Sequence, residues 1–553
     1  MPSLYQVVGA VVTLLNGVAA ASRASHQPRA TVKNGTYEGK YVKSLRQDLF
    51  LGVPFAQPPL GDLRFQNPQS LDTAFEDIRD AKEYGDSCVG YGNSDAWPHT
   101  MSEDCLTLNI VRPSGYGEGS NLPVGVFIHG GGYYQDYSAN GVYNLSFIVQ
   151  ESARMKKPII GVSLDYRLSA WGFLASQEAV DAGIANIGLK DQRMGLRWIH
   201  ENIAAFGGDP AKVTIFGESA GGGSVAYQSL AYGGKDEGLF RGMIIQSGAI
   251  GGDGKDLSSR TARYNKLVAD VRCDGSEEKL ACLRQAPFED LNKAIMNGTS
   301  GFGPIVDGEF VTDFPSVLVE EGKFTKTPLL IGTNSAEGTL FLLGTTINTD
   351  QEVADYIMRS GPDEETTKTI MTLYPNIDAL GLPESFENPP NSPYGSQYKR
   401  AVALATDQTF LAFRRSWTNI WSDNGLPVYS YLFDSPLPAR PNMGSSHWYE
   451  IPYVFYNTHG LGIAEHINPF INATKEVLHL AMLMSRMWVS FIHDLDPNHH
   501  GVRSVEPWPL YNATRGYGKN FYFHPTNSGT QPDTFRLAGT TFLNSVGRDQ
   551  YGY

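Results

Sequence analysis

Lys212-Val213-Thr214-Ile215-Phe216-Gly217-Glu218-Ser219-Ala220-Gly221-Gly222-Gly223-Ser224 is the stretch that decides how this chain folds. Residues 212–216 read as a short buried strand, rich in β-branched and aromatic side chains. After Ser219 come small residues, and then Val225, Ala226 and Leu230 resume an apolar spacing that predicts a helix. A strand that passes into a helix through G-x-S-x-G is a nucleophile elbow. The glycines on either side of the serine permit a sharp turn, so that the hydroxyl stands clear of the sheet edge. With 59 glycines among 553 residues, the pentapeptide is weak evidence alone. Its weight depends on partners elsewhere in the chain.

A serine that attacks a carbonyl needs donors for the developing oxyanion. Pro123-Val124-Gly125-Val126-Phe127-Ile128 reads as a second strand, followed directly by His129-Gly130-Gly131-Gly132. Three glycines in a row leave their amides unshielded, so that two N–H groups can converge on one point. H-G-G-G is the donor loop that accompanies a nucleophile elbow, completed by the amide of the residue after the serine. The expected donors are therefore Gly131, Gly132 and Ala220.

On this fold the base and its orienting acid follow in the order Ser, then Asp or Glu, then His. Thr327–Gly332 reads as a strand leading into Thr333-Asn334-Ser335-Ala336-Glu337-Gly338. Glu337 thus falls on a loop just past a strand, where α/β sheets present their active groups. Tyr429–Phe433 is a further strand candidate, and Gly444-Ser445-Ser446-His447-Trp448-Tyr449-Glu450 comes soon after it. His447 is the candidate base, with Glu337 fixing its tautomer and stabilising the imidazolium. Twelve histidines compete for the role, and spacing alone leaves the choice open. His129 reads as loop scaffolding, and His493, His499 and His500 as solvated surface in a polar stretch.

Several longer runs resemble the type-B carboxylesterase family, which includes cholinesterases and a branch of secreted fungal lipases and esterases. Leu51-Gly52-Val53-Pro54-Phe55-Ala56-Gln57-Pro58-Pro59 with Leu63-Arg64-Phe65 is similar to its N-terminal signature. Ser102-Glu103-Asp104-Cys105-Leu106-Thr107-Leu108-Asn109-Ile110 is similar to a second. Asp165-Tyr166-Arg167 with Gly172-Phe173-Leu174 is similar to a third, although the family more often has Asn at the place of Asp165. Asn186–Gln192, Asn202-Ile203 and Phe206-Gly207-Gly208-Asp209-Pro210 extend the likeness, which covers most of the chain after residue 30. The resemblance implies an α/β fold of the α/β-hydrolase type, with a large mixed sheet flanked by helices. It also places Glu337 and His447 at the family's acid and base positions. Four cysteines allow three connectivities. Local pairing, Cys88 with Cys105 and Cys273 with Cys282, is the simplest and matches the family pattern. Arg64 and Glu103 are expected to form a scaffold ion pair.

Composition fits a large globular enzyme, at 41% hydrophobic and 18% charged. The candidate site residues spread from 129 to 447, so residues 22–553 are expected to form one catalytic domain, with a helical insertion over about 350–400. Residues 1–21 read as a signal peptide, with an apolar core from Val7 to Leu15 and small residues at Ala19-Ala20-Ala21. Together with the even cysteine count, this points to an extracellular protein without a stable membrane anchor. Five N-x-[ST] sequons, at Asn34, Asn144, Asn297, Asn472 and Asn512, fit glycosylation, some sites being expected to stay empty. A net charge of -14 argues against nucleic acid as a partner. No dinucleotide fingerprint, phosphate loop or metal-ligand cluster is present, so neither cofactor nor metal is expected. The oligomeric state is not encoded in any recognisable pattern.

Three functions remain. The leading one is a secreted serine carboxylesterase that hydrolyses small-molecule esters through an acyl-enzyme. The second is a lid-gated triacylglycerol lipase. Only sixteen residues separate Cys88 from Cys105, a short cover for a pocket, which favours short or medium esters. Trp97 in that loop reads as a pocket wall rather than a quaternary-ammonium site. The third is a non-catalytic cholinesterase-like recognition protein, disfavoured because no member of the catalytic set is missing. If His447 is the base, activity should rise with pH as the imidazole loses its proton.

Overall fold

The computed structural model describes residues 27–92, 99–248, 250, 257–298, 301–377, 393–437, 440–513 and 518–551. Eleven strands form one mixed sheet. In chain order they are β1 (Lys40–Val42), β2 (Gln47–Pro54), β3 (Thr107–Pro113), β4 (Leu122–Ile128), β5 (Ile160–Leu164) and β6 (Gly208–Glu218). The remainder are β7 (Gly242–Gln246), β8 (Leu329–Asn334), β9 (Val428–Phe433), β10 (Lys519–Phe523) and β11 (Gly529–Pro532). Across the sheet they run β1-β2-β3-β5-β4-β6-β7-β8-β9-β10-β11. From β5 to β10 every neighbour is parallel, whereas the outer pairs at both edges are antiparallel.

Parallel strands need cover on both faces and so read as continuous apolar runs. All seven residues of β4 and all six of β8 are buried. Side chains alternate between two cores, as the two-residue period of a strand requires. Val126, Ile215, Ile245 and Ile331 point to one, against helices α2 (Ile187–Asn202), α3 (Ala220–Gly234) and α4 (Ala412–Asp423). Phe127, Phe216, Ile244 and Leu330 point to the other, against α1 (Leu145–Arg154) and α5 (Lys475–Asp494). Each such side chain withdrawn from water contributes about 1.5–3 kcal/mol. This sandwich holds the carboxyl ends of β4 to β9 in fixed relation, and the candidate residues all lie there.

The expected strand at 212–216 lies inside β6, which starts earlier because Gly208 pairs with Leu122 before an irregular register at Val213. The expected strand at 327–332 starts two residues later, at Leu329, and extends to Asn334. Helices fill most of the described part of the 350–400 region: Asp350–Met358, Glu364–Leu373 and the start of Tyr398–Thr406. The first begins with a reciprocal cap between Thr349 and Glu352.

Both local disulfides are formed, Cys88–Cys105 and Cys273–Cys282. Arg64 Nε and Nη2 donate to the two oxygens of Glu103 at 2.6 and 2.7 Å, the scaffold pair anticipated from the sequence. Residues 1–21 and Trp97 lie outside the described residues. Of the sequons, Asn297, Asn472 and Asn512 are exposed, and Asn144 caps α1. Asn34 is buried, and its amide donates to the carbonyls of Leu71 and Thr73 at 2.6 and 3.3 Å. Among the described residues no helix is long and apolar enough to cross a membrane.

Candidate active site

Between β6 and α3, Ser219 sits at φ 57° and ψ −125°, a conformation that costs a non-glycine residue on the order of 1–3 kcal/mol. Close packing dictates the glycines around it. A β-carbon on Gly221 would lie 2.0 Å from the Ile128 carbonyl oxygen, and one on Gly217 would meet the Gly221 backbone at 2.5 Å. The turn is held by Ser219 N–H donating to Gln246 O at 3.0 Å. Ala220 opens α3, where the first amides of a helix have no partner within it.

The loop after β4 comes up beside this turn. Gly131 and Gly132 have φ of 85° and 62°, values that side chains disfavour. The Gly131 carbonyl accepts from the amides of Tyr134 and Gln135, both at 3.1 Å, which folds the loop back on itself. Gly131, Gly132, Glu218, Ser219, Phe341 and His447 share the wall of one cavity of about 550 Å³.

Glu337 lies three residues past β8 and is fully buried. Its Oε2 is 2.6 Å from His447 Nδ1, and its Oε1 accepts from Ser247 Oγ and the Asn334 amide, each at 2.6 Å. The imidazole is flanked by the rings of Phe410 at 4.8 Å and Phe341 at 5.2 Å. Its Nε2 has no hydrogen-bond partner and faces Glu218 Oε1 at 3.2 Å. All the candidate catalytic and oxyanion residues are thus brought together.

Sequence reasoning missed four neighbours: Glu218, Ser247, Asn334 and Glu450. Glu218 occupies the variable position of the pentapeptide, and Glu450 follows His447 by three residues. Nothing in their spacing reveals that both point inward. Glu450 is buried, accepting from Asn334 Nδ2 at 2.7 Å and Gln246 Nε2 at 3.3 Å. Three carboxylates therefore crowd one imidazole.

Burial, with the charge of Glu337 adding to it, raises the Glu450 carboxyl to about 7. Burial likewise pushes Glu218 well above the usual carboxylate range. Burial alone would make His447 a weaker base, but the carboxylates of Glu218 and Glu337 outweigh it and push the imidazole up to about 9. These shifts are linked, because Glu218 supports the imidazolium only while ionised, and burial favours its protonated form. Among the described residues no group of three or more His, Cys, Asp or Glu side chains is placed to hold a metal ion.

A mixed sheet, parallel at its centre and clad on both faces, with a strained serine between strand and helix, defines an α/β-hydrolase. The crystal structure of Aspergillus niger EstA superposes on the chain with a TM-score of 0.83, at 28% identity, over 95% of this chain and 99% of that one. The family model described as "Carboxylesterase family" matches residues 26–534, and the chain belongs to that family. "Lipase 4" of Diutina rugosa is 34% identical, covering 96% of this chain and 97% of the relative. "Secreted lipase 1" of Botryotinia fuckeliana is also 34% identical, over 88% and 86%. The protein is a carboxylic-ester hydrolase.

Proposed function

We propose that this hydrolase is a secreted serine carboxylesterase with a Ser219–Glu337–His447 triad. The observation that carries the reading is the 2.6 Å Glu337–His447 contact on the wall of the cavity that Ser219 also lines. Ser219 Oγ attacks the ester carbonyl carbon while His447 Nε2 takes its proton, and Glu337 stabilises the imidazolium. The N–H groups of Gly131, Gly132 and Ala220 stabilise the resulting oxyanion. Collapse expels the alcohol, which receives the proton from His447, and leaves an acyl-serine. Water, activated by the same imidazole, then releases the acid and restores the serine. The Oγ–Nε2 hydrogen bond forms when substrate enters and the imidazole turns from Glu218, since such bonds commonly tighten only in the substrate complex. Two disulfides and a relative named as secreted support the extracellular location.

A second reading, a lipase that works at a lipid surface, is favoured by the relatives' names and by two exposed apolar residues on the cavity wall. Leu340 and Phe341 are 40% and 53% exposed. Against it stands the shortness of the disulfide-closed loop. Initial rates on p-nitrophenyl esters from acetate to palmitate, with Ser219→Ala alongside, separate the two. A peak at short or middle chains that collapses in the variant is expected. A peak at long chains that appears only above the solubility limit makes the protein a lipase.

A further inference from the structure

We infer that Asp165 and Tyr166 are positioning residues that hold the two ends of the oxyanion loop, so that the Gly131 and Gly132 amides stay aimed at the reacting carbonyl. This rests on the proposed role of those amides. The two residues follow β5 directly, and β5 runs parallel to β4, with Leu164 opposite Ile128. They emerge at the sheet edge beside the root of the loop, and both are buried.

Each holds one end. Tyr166 OH donates to the carbonyl of His129 at 3.0 Å, and its ring stacks on the His129 imidazole at 4.5 Å. The Gly130 carbonyl lies 3.4 Å from the same hydroxyl. At the far end, Asp165 Oδ1 accepts from Ser138 N at 2.8 Å, and its Oδ2 from Ser138 Oγ at 2.7 Å. His129 Nε2 approaches Asp165 Oδ1 at 3.8 Å, which joins the two anchors behind the loop. Between the anchored ends lie Gly131 and Gly132 in left-handed conformations, with little rigidity of their own.

An acid at position 165 suits its two contacts with Ser138. Both Ser138 groups present hydrogens to residue 165. Ser138 Oγ also accepts from Asn109 Nδ2 at 2.9 Å, and its own proton is directed at Asp165 Oδ2. A carboxylate accepts on both oxygens, whereas an amide would fit only with the Ser138 hydroxyl turned so that its proton points elsewhere. Burial pushes the Asp165 carboxyl up, and the Ser138 hydrogen bonds oppose that shift.

The test measures kcat and KM on p-nitrophenyl butyrate for wild type, Ser219→Ala, Tyr166→Phe and Asp165→Asn. Affinity for a trifluoromethyl ketone, which mimics the tetrahedral intermediate, and the melting temperature are read alongside. An oxyanion donor moved off its target affects the transition state and not the bound ester. The expected result is a fall in kcat of about 10- to 100-fold with KM within about twofold, and a parallel loss of ketone affinity. Ser138→Ala, which removes one contact and leaves β5 intact, should give a smaller fall of the same kind and serves if the other variants do not fold. Folded variants with unchanged kcat, or with the whole loss in KM, overturn the inference alone. A wild type as inactive as Ser219→Ala overturns both it and the serine-hydrolase reading.

Discussion

Two buried ionic clusters flank the sheet, and they are built on opposite terms. Near β10 and β11, Asp533 stands between Arg414 and Arg415 of α4. Its Oδ1 accepts from Arg414 Nη2 at 3.0 Å, Arg415 Nη2 at 2.8 Å and Asn520 Nδ2 at 3.0 Å, and its Oδ2 from Tyr511 at 2.9 Å. Burial alone would raise this carboxyl, but the two guanidiniums outweigh it and hold it well below the usual carboxylate range. In the candidate active site Glu218, Glu337 and Glu450 share one imidazole, and among the described residues no lysine or arginine bridges to any of them. There the shifts of Glu218 and Glu450 run upward. Both clusters bear the desolvation cost of buried charge. Only the first is fully compensated, and the under-compensated one is where a proton can move within the working pH range.

Substitutions should separate these roles, and Glu337→Gln should have the largest effect. Removing the charge while keeping the shape leaves the imidazolium unsupported, and kcat should fall by about 10⁴-fold. Steady-state kinetics beside a melting curve check this, with folding nearly unchanged. The counterpart, Asp533→Ala, should spare kcat at temperatures where the protein is folded. It should remove about 3–5 kcal/mol of stability, read by denaturant unfolding, because two buried guanidiniums lose their shared anion. The sign with pH follows: a carboxyl depressed on folding contributes fully above its unfolded pKa of about 3.9 and loses that contribution as pH falls below it. The smallest effect belongs to Glu218→Gln. As the proposed base His447 acts only when neutral, so wild-type kcat/KM should rise with pH toward about 9. Removing one of the two leading carboxylates should move that midpoint down, as a pH–rate profile would show. An unmoved midpoint would assign the upward shift to Glu337 and Glu450.

The same contrast explains what could be read in the chain beforehand. Ser219, Gly131 and Gly132 announce themselves because backbone geometry demands particular residues in a row, and such demands are local. Glu337 and His447 needed chain order and the family likeness, since one glutamate among many and one histidine among twelve carry no local mark. Glu218 was in plain view inside the pentapeptide, yet its inward aim depends on the turn at Ser219. Ser247, Asn334 and Glu450 meet only because β7, β8 and the loop after β9 end side by side. The Asp533 cluster was invisible for the same reason: Arg414 and Asp533 are 119 residues apart and meet only through packing.

The backbone of Ser219 carries one more consequence. At φ 57° the proposed nucleophile occupies a backbone conformation that side chains disfavour, and the chain would fold more comfortably with glycine there. A serine held there at the expense of stability is what a nucleophile at this turn requires, and Ser219→Gly should raise the melting temperature.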